Sequence, residues 1–160
     1  MAKITAPYTL QVLTHEYLIE GNVAPDSSIH LPRPDEQGSP LTLNNAQIQS
    51  TRTPPAPARS CASFVCTGNG VIALIPHVDY TLLDYYGSWK QYRTAVNGVF
   101  YLGPYWMTGR LMIPSPGMIP SSIPAYDIRF GSMLPGSQWA GLTAPFALIS
   151  NLWMQGWEAA

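Results

Sequence analysis

The sequence predicts an all-β protein made of two tandem small five-stranded barrels, and three observations carry that reading. Tyr17-Leu-Ile-Glu-Gly-Asn-Val23 recurs as Tyr105-Trp-Met-Thr-Gly-Arg-Leu111, with the aromatic, the glycine and the aliphatic all 88 positions apart (105 − 17, 109 − 21, 111 − 23). Apolar residues alternate over short runs bounded by turn residues, the pattern of half-buried strands. Sixteen prolines and thirteen glycines in 160 residues oppose long helices, because proline removes a backbone donor and glycine carries a large entropy cost. The alternative is one continuous β-sandwich in which both copies share a core, since short strands with turn signals fit that too.

Taken in order, Tyr8-Thr-Leu-Gln-Val-Leu13 alternates as a first strand, and Thr14-His-Glu16 breaks it before the Tyr17 strand. In the second copy Val99-Phe-Tyr-Leu102 leads into Gly103-Pro104 at the same place. Gly-Pro is a strong turn dipeptide, so each copy opens with a tight hairpin and His15 and Glu16 are its tip. Residues 24–40, rich in Pro, Asp and Gly, read as a loop. Leu41-Thr-Leu-Asn-Asn-Ala-Gln-Ile-Gln49 is a third strand with a kink at the asparagines. Its expected counterpart is Ala125-Tyr-Asp-Ile-Arg-Phe130, with Ile48 matched to Ile128 at an offset of 80 (128 − 48). After a Pro-rich connector over 51–59, Ser63-Phe-Val-Cys-Thr67 and the continuous apolar run Val71-Ile-Ala-Leu-Ile75 flank Gly68-Asn-Gly70 as a closing hairpin. The second copy ends alike, with Pro145-Phe-Ala-Leu-Ile149, Ser150-Asn151 and Leu152-Trp-Met-Gln-Gly-Trp157, which matches Phe64 to Phe146 and Asn69 to Asn151. The expected domains are a first small barrel over 1–79, an aromatic bridge over 80–93 and a second small barrel over 94–160. In the bridge Tyr85, Trp89 and Tyr92 fall at i, i+4 and i+7, one face of a short helix.

Composition narrows the function. Charged residues make up 11% of the chain, under half the usual share of about 25%. A surface so poor in charge exposes neutral and apolar area or covers it against other copies or partners. With a net charge of −1 and no cluster of cations, neither half has the basic stripe that phosphate contact requires. The N-terminal residues lack a signal-peptide apolar core and no apolar run is long enough for a membrane-spanning helix, so the expectation is a cytoplasmic protein with no membrane span. Cys61 and Cys66, the only cysteines, are too few for a disulfide scaffold or an all-cysteine zinc site and are expected to be free thiols.

No enzyme, metal or cofactor is expected, and the second alternative function is a metal-dependent enzyme using His77 and Asp79. His77 and Asp79 lie two apart, a spacing compatible with metal ligation or a His–Asp hydrogen bond, but no third ligand lies near. A solvated turn is the plainer reading of such a pair. Gly-x-Ser-x-Gly, Gly-x-Gly-x-x-Gly and the phosphate-loop pattern are all missing, and neither cysteine has a neighbouring cation to activate it.

A five-stranded unit with glycine inside its second strand resembles the SH3-like and Sm-like small barrels. Leu10-Gln-Val-Leu13, the turn, Gly21-Asn-Val23 and Asp26-Ser-Ser-Ile-His-Leu31 are similar to the first Sm-like motif, which passes through a mid-strand glycine to Asp-x-x-Met-Asn. The similarity spans residues 9–31, and in the second copy the glycine strand alone. His30 stands where that family has Asn, and the Arg-Gly pair of its second motif is missing from Val71–Ile75. The resemblance implies the fold, and an alternative function as a single-stranded RNA binder with Asp26 and His30 at the pocket. Arg93 and Arg110, set among Trp89, Tyr92, Tyr101 and Trp106, would add cations to a stacking surface. Glu20-Gly21 and Leu41–Ile48 also resemble a family of uncharacterised small bacterial β-barrel proteins.

The two copies differ in one telling way. All five tryptophans fall within residues 81–160, which hold seven charged side chains. Large aromatics and Met are what protein interfaces favour, with charge depleted at the centre. The expected function is therefore a non-enzymatic structural or interaction module that assembles with itself or a protein partner through its second half. The expected contact residues are Tyr85, Trp89, Tyr92, Trp106, Met112, Trp153 and Trp157. The plainer alternative is that these rings fill the second core and the bridge.

Overall fold

The computed structural model describes residues 7–25, 41–50, 58–66, 70–82, 92–115, 122–132 and 141–159. The fold is all-β: among these residues the only helical pieces are short 3-10 turns, including Tyr80–Leu82 and Asn151–Trp153. The first half supplies β1 (Thr9–Thr14), β2 (Tyr17–Val23), β3 (Thr42–Ser50), β4 (Arg59–Val65) and β5 (Val71–Pro76). The second supplies β6 (Thr94–Leu102), β7 (Tyr105–Ile113), β8 (Ser122–Ser132), β9 (Thr143–Ser150) and β10 (Met154–Ala159). All ten form one open antiparallel sheet in the order β10-β6-β7-β8-β9-β5-β1-β2-β3-β4.

Each half therefore repeats one order, with its fifth strand beside its first and its fourth at the opposite end. The repeat extends to irregularities. In β1 and β2 Leu10 pairs with Gly21, and in β6 and β7 Gly98 pairs with Gly109, each 88 residues on (98 − 10, 109 − 21). The fifth strands skip one residue at matched places: Thr14 pairs with Val71 and Leu13 with Ala73, while Leu102 pairs with Met154 and Tyr101 with Gly156. These fifth strands lie 83 apart (154 − 71, 156 − 73).

Two glycines mark where neighbouring strands approach closely and the register shifts. A Cβ on Gly21 would stand 3.0 Å from Leu43 Cβ and 3.1 Å from the Asn44 carbonyl oxygen, and one on Gly109 3.0 Å from Ile128 Cγ2 and 3.1 Å from the Tyr126 carbonyl oxygen. Register shifts flank both, between Glu20 and Asn22 and between Thr108 and Arg110. Opposite them Asn45 and Asp127 take left-handed backbone, φ 51° and 52°. Asn and Asp are the side chains that tolerate that region. The third strands thus align at an offset of 82 (127 − 45), and Ala46, not Ile48, is the counterpart of Ile128. The fourth strands align at 83: Leu43 pairs with Phe64 and Ala125 with Ala147, so Phe64 corresponds to Ala147 (147 − 64) and Phe146 to Ser63. Strand β4 also starts earlier than its alternation suggests, at Arg59. Residues 83–91, where the bridging helix was expected, lie outside the described residues.

Two apolar cores form, and both draw on both halves. One gathers Tyr8, Leu10, Val12, Ile19, Val23 and their neighbours with Phe146 and Leu148 from β9. The other packs Phe100, Leu102, Tyr105, Met107 and Phe130 against Leu13, Leu18, Ile72 and Ile75. Strand β5 lies between them and is buried along its whole length. The buried Tyr105 hydroxyl donates to the Thr14 carbonyl at 3.1 Å, tying the two opening hairpins together.

Candidate functional site

Among the described residues, strands β4 and β10 end the sheet, each with a neighbour on one side only. An edge strand offers unpaired amides and carbonyls to any strand that can reach it. Their repeat counterparts, β9 and β5, are joined to each other inside the chain, with Ala73 opposite Ile149 and Leu74 opposite Leu148. Burial follows that difference. Phe146, Ala147, Leu148 and Ile149 are all buried, whereas Ser63, Val65 and Trp157 are exposed. Val65 is 54% and Trp157 46% accessible, where their counterparts Leu148 and Leu74 are 1% and 0%.

Beside β10 lies a small apolar groove lined by Val96, Phe100, Leu111, Ile113, Ile123, Met154 and Trp157. Trp157 leans over the buried Phe100 ring, centroids 6.4 Å apart. The sequence builds the groove by alternation. Phe100 of β6 and Leu111 of β7 point inward and are buried, 0% and 2% accessible, with Trp157 at the rim; among the described residues no strand lies beyond β10 as β9 lies beside β5.

The expected contact residues are dispersed. Trp157 is at the groove. Trp153 stacks on His15 at 5.8 Å and its carbonyl accepts from the Gly103 amide at 2.9 Å, so it joins the two hairpin tips. Trp106 is half-buried with its indole pressed onto Gly131, a position with no room for a Cβ. Met112 and Tyr92 are half-buried as well, while Tyr85 and Trp89 lie outside the described residues. Sequence reasoning missed Val65 and the groove wall of Val96, Leu111 and Ile123. The signal was the mismatch between Pro145-Phe-Ala-Leu-Ile149 and the more polar Ala62-Ser-Phe-Val-Cys66, which marks one fourth strand as covered and the other as bare.

The residues considered for other chemistry are not brought together. Strand β5 stops at Pro76, so exposed His77 lies past it. The Asp79 carboxylate accepts from the Thr81 hydroxyl at 2.6 Å and the Thr81 amide at 3.1 Å, closing the turn that follows. No group of three His, Cys, Asp or Glu side chains converges among the described residues. Arg110 lies 5.4 Å from the Tyr126 ring centroid and 4.0 Å from the Asp127 carboxylate. Arg93 is exposed, and Asp26 and His30 lie outside the described residues. Cys61 and Cys66 are both free thiols; burial pushes the Cys66 thiol up to about 12. No described helix is long and apolar enough to cross a membrane.

Comparison of the chain with family models, with curated proteins and with solved structures finds no match.

Proposed function

We propose that this protein is a non-enzymatic structural module, a tandem of two small Sm-like units that assembles with its own kind or with a protein partner through its second half. The observation that carries this reading is the exposure of Trp157, 46% accessible at the rim of the small apolar groove beside β10. Exposed aromatic area beside an unpaired strand edge is costly in water and is what interfaces cover. The scarcity of charge supports the same reading, and the free thiols fit a reducing compartment such as the cytoplasm. Light scattering across the micromolar range tests it: a species heavier than 17.5 kDa is expected, and a clean monomer that retains nothing in a pull-down would end it. The RNA-binding alternative has less to draw on, because Arg110 already faces Tyr126 and Asp127. Filter binding to short single-stranded RNA at low salt separates the two, since a structural module retains none.

A further inference from the structure

We infer that the partner is a second copy of this chain, joined head to tail, with β4 of one molecule added to β10 of the next in the register already used inside the chain between β9 and β5. This rests on the assembly reading above and specifies its geometry.

The argument is one of repeat equivalence. Moving the internal pairing by the fifth- and fourth-strand offset of 83 carries Leu74 to Trp157, Ala73 to Gly156, Leu148 to Val65 and Ile149 to Cys66. The internal pairs Leu74–Leu148 and Ala73–Ile149 therefore predict Trp157 opposite Val65 and Gly156 opposite Cys66 of the neighbouring copy. Trp157 and Val65 are two of the few large apolar residues left exposed, and they fall opposite one another.

The groove obeys the same mapping. Val96, Phe100, Leu111, Ile123, Met154 and Trp157 correspond to Tyr8, Val12, Val23, Leu41, Val71 and Leu74. All six counterparts belong to the core that Phe146 and Leu148 complete from β9. What would fill the groove is thus the counterpart of those two residues, Ser63 and Val65 of β4. Bulk has changed sides: Leu74 lies in the same core as Phe146 within the chain, whereas the large Trp157 would meet the small Ser63 and Val65. A large-small exchange of this kind keeps the packed volume filled.

Two different surfaces meeting make a heterologous contact, which propagates into a ring or a filament and does not stop at a two-fold dimer. That property supplies the test. Val65→Lys and Trp157→Lys each disable one edge, so each variant alone is expected to be monomeric at concentrations where the wild type is assembled. An equimolar mixture retains one intact β10 and one intact β4, and should give a species of two chains and nothing larger. As a measurement that needs no disrupted edge, the double variant Val65→Cys/Trp157→Cys in a Cys61→Ser background should, on mild oxidation, give a ladder of covalent multimers. Directly opposed strand residues have Cα atoms about 4.5–5.5 Å apart, within reach of a disulfide. Either single cysteine variant in that background should give no ladder.

A wild type that assembles while the mixture stays monomeric and the oxidised double variant forms no ladder would overturn this geometry and leave the assembly reading standing. So would a covalent dimer from Val65→Cys alone, which reports a two-fold contact. A wild type that is monomeric throughout would overturn both.

Discussion

Asn45 and Asp127 occupy the same place in the two halves, each left-handed at φ 51° and 52°, one strand over from Gly21 and Gly109. An L-residue in that region costs roughly 1–2 kcal/mol, least for Asn, Asp and Gly and most when branched at Cβ. Replacing either by Val is expected to lower stability by about 1–2 kcal/mol, and Asn45→Gly to be close to neutral. Urea titrations read this as a lowered midpoint at unchanged slope for the Val variants.

Tyr105→Phe removes one hydroxyl and leaves the Thr14 carbonyl without that donor. The ring remains buried against the same neighbours, so packing is kept while the 3.1 Å hydrogen bond to Thr14 and the longer 3.5 Å contact with the His15 carbonyl are lost. The expected cost is about 1 kcal/mol, seen as a small fall in the thermal midpoint without change in the far-ultraviolet spectrum.

Residues 1–80 produced alone are expected not to fold. Phe146 and Leu148 complete the first core, and β9 covers one edge of β5. Each buried side chain of that size contributes about 1.5–3 kcal/mol, so losing both removes about 3–6 kcal/mol, enough to unfold a domain at the lower end of the usual range of about 5–15 kcal/mol. Phe146→Ala in the full chain should cost about 3–5 kcal/mol and keep a single unfolding transition. A dispersed amide spectrum from residues 1–80 would show that the halves are independent.

Cys66 should be the silent thiol. Its pKa is raised from 9.0 to about 12 by burial, so a thiolate-selective reagent at mildly alkaline pH should modify the half-buried Cys61 quickly and Cys66 only through opening. The sign of the linked stability follows. Below pH 9 both folded and unfolded chains keep this proton; above it the unfolded chain loses the proton first, and stability falls as pH rises from about 9 towards 12. Cys66→Ser should not share that alkaline loss.

Most strands are legible because alternation is a strong signal where one face is buried, and the 88-residue match of Gly21 to Gly109 marks the shared register shift. The third-strand register is not. A left-handed residue at 45 and 127 inserts one extra position, so Leu43 and Ala46 both face inward with two residues between them. Pairing Ile48 with Ile128 by residue type slid the alignment by two, and matching Phe64 to Phe146 slid the fourth strand by one. Which strand would lie beside β5 was also illegible, because periodicity reports the face a residue turns to and is blind to what joins its edge. Trp153 and Trp157 looked alike in sequence, yet one is held by His15 and the other stands at the rim.

In the sheet β7, β8 and β9 stand between β6 and β5, so the second-half strand that pairs with β5 is the ninth made and not the sixth. During synthesis the most apolar strand of the first half therefore emerges from the ribosome with β1 already made but long before its other neighbour, β9, exists. Such distant pairing slows folding and leaves a sticky intermediate, so a nascent chain stalled after Pro76 is the form that chaperones should hold longest.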